Sequence, residues 1–370
     1  MTIPFFSLQR LHQSIQGELD EAISKVIRKG TFVLGEEVES FEHQYAAYTG
    51  TKYCVSVASG LDALIVSLRA VGIGKGDEVL VPSHTCQATW LAVTLVGATP
   101  IPVEVTDLLI DPSKILSHLT KKAKAILPVH LYGQPCNMDL IGELAKKNNL
   151  LIVEDNAQAH GATWKSMRTG SFGIINATSF YPTKNLGALG DGGAITTNDK
   201  ELATFVKKYR NYGSEEKGCH TIVGINSRLD EMQAALLRVK LNHLSKWNLM
   251  RTQTAELYYK NLQGVGDVIL PPQKSTEQDW THVYHQFVIR TKHRDSLKKF
   301  LNDKGVETAI HYPTPIHLQQ AYQFLNLKKE SLPRAERLSE TVLSLPIWPG
   351  LLPEETEFIS QKVTDFFYHL

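Results

Sequence analysis

Cysteine is scarce in this chain. Its four residues, Cys54, Cys86, Cys136 and Cys219, form no C-x-x-C pair and have no zinc spacing. They cannot staple 370 residues, so reduced and mostly buried thiols are expected. No stretch stays apolar over about 18 residues, which excludes a membrane-spanning helix. The start, MTIPFFSLQR, has no charged segment leading into an apolar core, and a cytoplasmic protein is expected. Charge of one sign is missing too: 39 Lys and Arg stand against 38 Asp and Glu, so no overall field draws nucleic acid or an anionic membrane. Any anionic ligand must be held locally. Repeats and low-complexity tracts are absent, and 42% hydrophobic with 21% charged residues is ordinary globular composition.

What is present is alternation. Short β-rich runs (YCVSV, EVLVP, KAILPVH, LLIVED, SFYP and GAITT) are separated by helical patterns such as 61–71 and 138–148 between Tyr53 and about Thr197. That order predicts an α/β domain with a mainly parallel sheet. The preceding segment from Leu8 to Phe41 reads as polar-faced helix broken at GTFVLGEE, an arm rather than core. A long helical pattern from Asn226 to Leu262 bridges to a C-terminal α+β domain with strands at HQFVIR and ETAIHY, a helix at RDSLKKFLNDKG, and terminal helices. The expected division is 1–245, including an N-terminal arm of 1–35, and 246–370.

Three places carry chemistry. Asp155, in VEDNAQAH, ends the apolar run LLIV, at the carboxyl edge where ligands of open α/β sheets bind. Alone, such an Asp is as often a cap or turn former. Lys184 lies in SFYPTKNLGALGDGGA. An ordinary lysine is solvated, but this apolar, aromatic and glycine-rich setting desolvates the amine, lowers its pKa and exposes the nucleophilic free base. Gly60, Leu61 and Asp62 open a helix after a strand, where unpaired N–H groups form an anion site. A plain glycine turn with an Asp cap is the alternative. A lysine nucleophile, a strand-end carboxylate and a phosphate cradle together match what pyridoxal 5′-phosphate demands of a protein.

With these motifs, and with FEHQYAAYTG, GDEVLVPSHT, KAILPVHLYGQPCNM, RNYG, GINSRLDEMQAALL, IHYPTPIH and LSLPIWP in the same order, the chain resembles the DegT family of sugar aminotransferases over nearly its whole length. The resemblance implies a fold type I pyridoxal-phosphate transferase: a large αβα domain with a mainly parallel sheet plus a smaller C-terminal α+β domain. It makes Lys184 the Schiff-base lysine and Asp155 the partner of the pyridine nitrogen. Gln158 would contact the ring oxygen, and Gly60, Leu61, Asp62 and Ser179 would hold the phosphate. Asn226 would reach a neighbouring subunit's site, which implies a homodimer with shared active sites. His160, Tyr181, Arg228, His311, Tyr312 and His317 are substrate-side candidates. For Arg228 a structural salt bridge is the alternative, for Tyr181 packing under Lys184, and for His317 a helix start. Two positions depart from the family pattern. Cys86 stands where an aromatic ring usually faces the cofactor, a change worth about 1 kcal/mol of stacking. His84 is an alternative stacking face, or Cys86 itself meets the ring. Leu61 replaces a frequent threonine.

The fuller motifs resemble enzymes that aminate carbon 3 of a dTDP-linked 3-keto-6-deoxyhexose with L-glutamate as donor, for a surface polysaccharide or a glycosylated metabolite. Amination at carbon 4 of a dTDP- or UDP-linked 4-keto sugar is the alternative on the same fold. A dehydratase on this scaffold would carry histidine in place of Lys184. A cofactor-binding regulatory protein without turnover is the reading from another class, and among these residues Cys86 alone favours it.

Overall fold

The computed structural model describes residues 2–216, 218–273 and 279–370. Its centre is a seven-stranded sheet. In chain order the strands are β1 (Tyr53–Val57), β2 (Glu78–Pro82), β3 (Thr99–Val103), β4 (Ala123–Ile126), β5 (Leu151–Asp155), β6 (Ile175–Ser179) and β7 (Gly193–Thr197). Their spatial order is β1-β7-β6-β5-β4-β2-β3. Only β7 runs against its neighbours, pairing antiparallel with both β1 and β6. The other six therefore end at one edge, and near-continuous apolar runs in them reflect a sheet covered on both faces.

Helices cover those faces: α3 (Glu36–Thr49), α4 (Gly60–Ala70), α5 (Gln87–Leu95), α6 (Met138–Lys147), α7 (Lys200–Tyr209) and the long α8 (Glu231–Leu262), on which α1 (Gln9–Ser14) and α2 (Gln16–Lys29) pack in turn. The main core joins Val55, Leu64, Leu80, Trp90, Ile126 and Val153. A further C-terminal layer comprises β8 (Phe287–Arg290), α9 (Arg294–Asp303), α10 (Pro333–Thr341), β9 (Val342–Leu345) and α11 (Pro353–Tyr368), with β8 and β9 paired antiparallel.

The long helix joins two cores. Ala234, Leu237 and Leu244 pack with Phe41, Phe180 and Leu186, whereas Ala255, Tyr258 and Leu262 pack with Phe287, Leu345 and Val363. Ile3 belongs to the second group and its backbone pairs with Gly305 and Glu307, so the N-terminus crosses to the C-terminal layer.

Three local expectations change. The segment 8–41 is not a free arm: Val38, Phe41 and Tyr45 of α3 are buried. The Glu231 carboxylate of α8 accepts the N–H groups of Gly35, Glu37 and Val38 at 2.7–3.0 Å and caps that helix. Strand β6 is INATS, and of SFYP only Ser179 belongs to it; the turn begins at Phe180, because Pro182 lacks the donor a ladder needs. ETAIHY forms only an isolated bridge from Ala309 to Ser344, with Pro313 and Pro315 following closely. No helix among the described residues is long and apolar enough to cross a membrane.

Candidate active site

Parallel strands set the site. Chain leaving β1, β2, β5 and β6 arrives at one sheet edge, bringing Gly60, Cys86, Asp155 and Lys184 toward one region.

Lys184 sits in a tight loop whose backbone closes from Lys184 N to Tyr181 O at 2.8 Å and from Ala188 N to Phe180 O at 2.8 Å. The loop is fastened to α8 by side chains two turns apart on one helix face. Gln233 accepts Leu189 N–H at 2.7 Å, Lys240 donates to Gly187 O at 2.8 Å, and Asn248 accepts from the Asn185 amide at 2.8 Å. Lys184 Nζ itself makes no hydrogen bond among the described residues. Burial lowers its pKa, while Cys86 and Asp155 oppose that shift.

Asp155 is 4% exposed. Its Oδ1 accepts from Ala157 N at 3.1 Å and its Oδ2 from the Thr89 hydroxyl at 3.2 Å. Burial raises its pKa against the pull of the Ala157 N–H, Lys184, Thr89 and His130. A buried carboxylate so poorly compensated calls for a cation or a protonated partner.

At the start of α4, Ser59 Oγ caps Asp62 N at 3.1 Å. That N–H is therefore already engaged, which corrects the expectation that Asp62 contributes a backbone donor to a phosphate. The Gly60 and Leu61 N–H groups have no acceptor among the described residues. The Asp62 carboxylate turns instead to Ser227 Oγ, at 2.6 Å. A Cβ on Gly60 would lie 2.4 Å from Ser179 Cβ, so only glycine lets α4 and β6 approach this closely.

Gln158 is held at both ends of its amide. Its Oε1 accepts Tyr132 N–H at 2.7 Å and its Nε2 donates to the Tyr312 hydroxyl at 3.2 Å. The Tyr132 hydroxyl donates to His311 O and so receives the proton of His84 Nε2, 2.8 Å away. Burial lowers both His84 and His311 to about 4, and both rings are neutral. His84 is tied edge-on to Tyr132 and lies 6.1 Å from the Tyr312 ring. Cys86 begins α5 and, with Tyr312 and Thr314, lines a cavity of about 550 Å³. Its thiol lies close enough to Lys184 to oppose the lowering of the lysine's pKa by burial.

Two candidates fall outside this group. His160 is fully buried against Phe180 with its Nε2 3.0 Å from Thr178 Oγ1, and burial lowers it to about 3. It packs behind the Lys184 loop, out of reach of a sugar. His317 is 1% exposed and its Nε2 meets Glu336 at 3.0 Å within a short 3₁₀ turn. Tyr181 is 53% exposed, so it does not pack under Lys184. Arg228 has no carboxylate partner among the described residues. It donates to Asn211 at 3.2 Å and lies over the Tyr212 ring. Asn226 is exposed, and its side chain has no hydrogen bond among the described residues.

Sequence reasoning missed Thr89, Tyr132, Asn185, Asn248 and His285. Thr89 follows Cys86 by one helical turn, a spacing that offers a signal once α5 is recognised. His285 is buried with Nδ1 3.2 Å from Asn185 Oδ1. The Asn185 nitrogen is used by Asn248 and Val283 O, so its oxygen accepts and His285 Nδ1 bears the proton. Nothing in YHQF distinguishes that histidine from a strand residue.

This is the architecture of the pyridoxal-phosphate transferases, with a desolvated lysine and a buried carboxylate at the carboxyl edge of a mainly parallel sheet. Residues 13–364 match the DegT/DnrJ/EryC1/StrS aminotransferase family, and the chain belongs to it. It is 48% identical to dTDP-3-amino-3,4,6-trideoxy-alpha-D-glucose transaminase of Streptomyces venezuelae, over 94% of this chain and 92% of that protein. It is 46% identical to dTDP-3-amino-3,6-dideoxy-alpha-D-galactopyranose transaminase of Aneurinibacillus thermoaerophilus, over 99% of this chain and all of the relative. The crystal structure of S. venezuelae DesV in complex with a ketimine intermediate superimposes with a TM-score of 0.97 at 45% identity, covering 100% of this chain and 99% of that one.

Proposed function

We propose that this aminotransferase moves the amino group of L-glutamate onto carbon 3 of a dTDP-linked 3-keto-6-deoxyhexose, with pyridoxal 5′-phosphate held at Lys184. The observation that carries the reading is the unbonded, desolvated Lys184 amine beside the buried Asp155 carboxylate. The likeness to two transaminases of dTDP-3-amino sugars supports the position of the ketone.

The residues fit the cofactor. Asp155 has the buried negative charge that a protonated ring nitrogen would compensate, Gly60 and Leu61 have N–H groups without acceptors, and Ser179 stands against Gly60. When bound, pyridoxal phosphate supplies an aldehyde for the lysine amine and a ring that accepts electrons. Lys184, as free amine, would act as base toward the donor's Cα in the first half of the reaction and as acid toward the sugar carbon in the second. Asp155 would hold a positive charge on the ring nitrogen, and Gln158, locked by Tyr132 and Tyr312, would present its amide to the ring oxygen. Tyr312, His311 and Arg228 face the substrate side. Cys86 contributes a thiol to the cleft wall in place of a stacking ring.

Two copies complete the site. Asn226 is exposed and free to reach the phosphate of a second copy's site. Exposed Tyr181, Leu189, Tyr212 and Val223 give that face the apolar surface a homodimer would cover. Sedimentation at micromolar concentration tests the dimer, and a monomer that retains full activity would refute it.

The reaction is tested by incubating purified protein with glutamate and a dTDP-3-keto-6-deoxyhexose and assigning the product by NMR. An amino group at carbon 3 is expected, and one at carbon 4 would overturn the assignment. Lys184→Ala should fold, bind the nucleotide sugar and have no turnover.

A further inference from the structure

A second cavity lies elsewhere. It measures about 780 Å³ and shares no lining residue with the cleft at Cys86 and Tyr312. It opens between the hairpin that follows β3, the chain after α8, the end of β8 and the outer face of α10. That size suits a small-molecule ligand.

Its charge is uneven. Arg290, Lys292, Arg334 and Arg337 line it together with Asp107 and Asp267. Only one of these six has its charge paired within the fold, because the partners of Asp267 are neutral. Arg334 is paired with Asp111 at 2.9 Å, and Asp267 accepts the Thr291 hydroxyl and Lys292 N–H. The side chains of Arg290, Lys292 and Arg337 have neither hydrogen bond nor ion pair among the described residues. Three cations without an ion-pair partner, Arg290, Lys292 and Arg337, therefore face two carboxylates, Asp107 and Asp267, and the wall keeps a net positive charge. The Glu104 carboxylate already caps the start of α10, through the N–H groups of Arg334 and Ala335, so the side chains rather than the helix end attract an anion here.

The remaining wall is apolar. Val105, Leu108 and Leu338 are buried beneath the cavity, and Ile269 stands 52% exposed at its side. An inorganic anion would leave this surface in water. A ligand with two phosphate groups and a flat, partly apolar ring would cover it while answering the cations, since arginine pairs with phosphate oxygens through a planar fork.

We propose that this cavity binds a nucleoside diphosphate, at a site separate from that of Lys184. Free nucleotide and the nucleotide portion of a nucleotide sugar share this chemistry. Binding would bridge the hairpin after β3, which belongs to the sheet-bearing unit, to the C-terminal layer.

Isothermal titration of the holoenzyme with dTDP, dTDP-glucose and sodium pyrophosphate tests this. In Arg290→Ala/Arg337→Ala, one nucleotide-binding event per chain should weaken by about tenfold or more. The thermal midpoint and basal transamination should stay unchanged, because neither side chain has a hydrogen bond or ion pair among the described residues and both lie outside the Lys184 site. Ile269→Asp should lower affinity for dTDP more than for pyrophosphate. Equal affinity for dTDP-glucose and dTDP would identify the sugar nucleotide as a sufficient source, and preference for dTDP would identify the free nucleotide. Nucleotide binding that is identical in wild type and double variant overturns the proposal, and so does pyrophosphate binding as tight as that of dTDP. If the transamination reading failed, the event at the Lys184 cleft would be lost and this one would remain.

Discussion

The side-chain amide of Asn185, next to Lys184, donates to Asn248 Oδ1 at 2.8 Å, and Asn248 in turn donates to His160 O at 2.8 Å. One residue of α8 thus ties the lysine loop to the turn that follows Asp155. The distance between the lysine and the carboxylate is governed by a helix that supplies neither.

Asn248→Ala removes both bonds and leaves buried partners unsatisfied. A loss of about 1–3 kcal/mol in stability is expected. Because the lysine would wander rather than vanish, kcat should fall while KM for glutamate moves little. Denaturant titration and steady-state kinetics check the two halves. A variant with wild-type kcat would show that the loop holds its position without α8.

Thr89→Val tests the support of Asp155. The hydroxyl donates to the carboxylate and favours its ionised form, so losing it raises a pKa that burial has already raised. The acid limb of the kcat/KM profile should move to higher pH, and Thr89→Ser should restore it. The sign for stability follows from the same shift. A carboxyl whose folded pKa lies above its unfolded value binds its proton more tightly in the native state. Its contribution in the cofactor-free protein is full at low pH and is lost as pH rises through the folded pKa. Cofactor-free Thr89→Val should therefore lose more stability than wild type between acid and neutral pH, as chemical denaturation would show.

Much of this arrangement was legible in the sequence, because strand ends are local. LLIV followed by Asp155, and the glycine-rich run around Lys184, carry their meaning in a few residues. What escaped depends on distant partners. The α3 segment looks polar-faced until α8 presents Leu237 and Leu244 to Phe41. His160 and His317 look like polar groups near a site, yet Phe180 and Glu336 bury them from elements 20 and 19 residues away. Thr89, Asn248 and His285 act through hydrogen bonds between separate elements, which no periodicity records.

Glu154 precedes Asp155 and faces the other way. It is fully buried and accepts His130 Nε2 at 2.7 Å, Phe172 N at 2.9 Å and Gly170 N. Cys136 N donates to His130 Nδ1 at 2.9 Å, so Nδ1 accepts and Nε2 carries its proton toward Glu154. Glu154→Ala would strand all three donors and should cost about 1–3 kcal/mol for each one left unsatisfied. Glu154→Gln, which keeps one acceptor oxygen, should cost less. Equal stability of the two variants, measured by urea unfolding, would refute this account.

Gly60→Ala probes the contact between the start of α4 and the end of β6. The added Cβ would lie 2.4 Å from Ser179 Cβ and 2.9 Å from Ser179 Oγ, so one element must shift. Overpacking of this kind costs about 1–3 kcal/mol. The shift falls at the strand that leads into the Lys184 loop and at the N–H groups of Gly60 and Leu61, so pyridoxal phosphate should also bind more weakly. Ser179→Gly removes the atom that collides, and in Gly60→Ala/Ser179→Gly the stability penalties should be less than additive by about 0.5 kcal/mol or more. Ser179→Gly alone gives up its acceptor for Tyr181 N, so only stability, not cofactor affinity, reads the coupling cleanly. Strictly additive penalties would mean that the glycine is required for a reason other than the Ser179 contact.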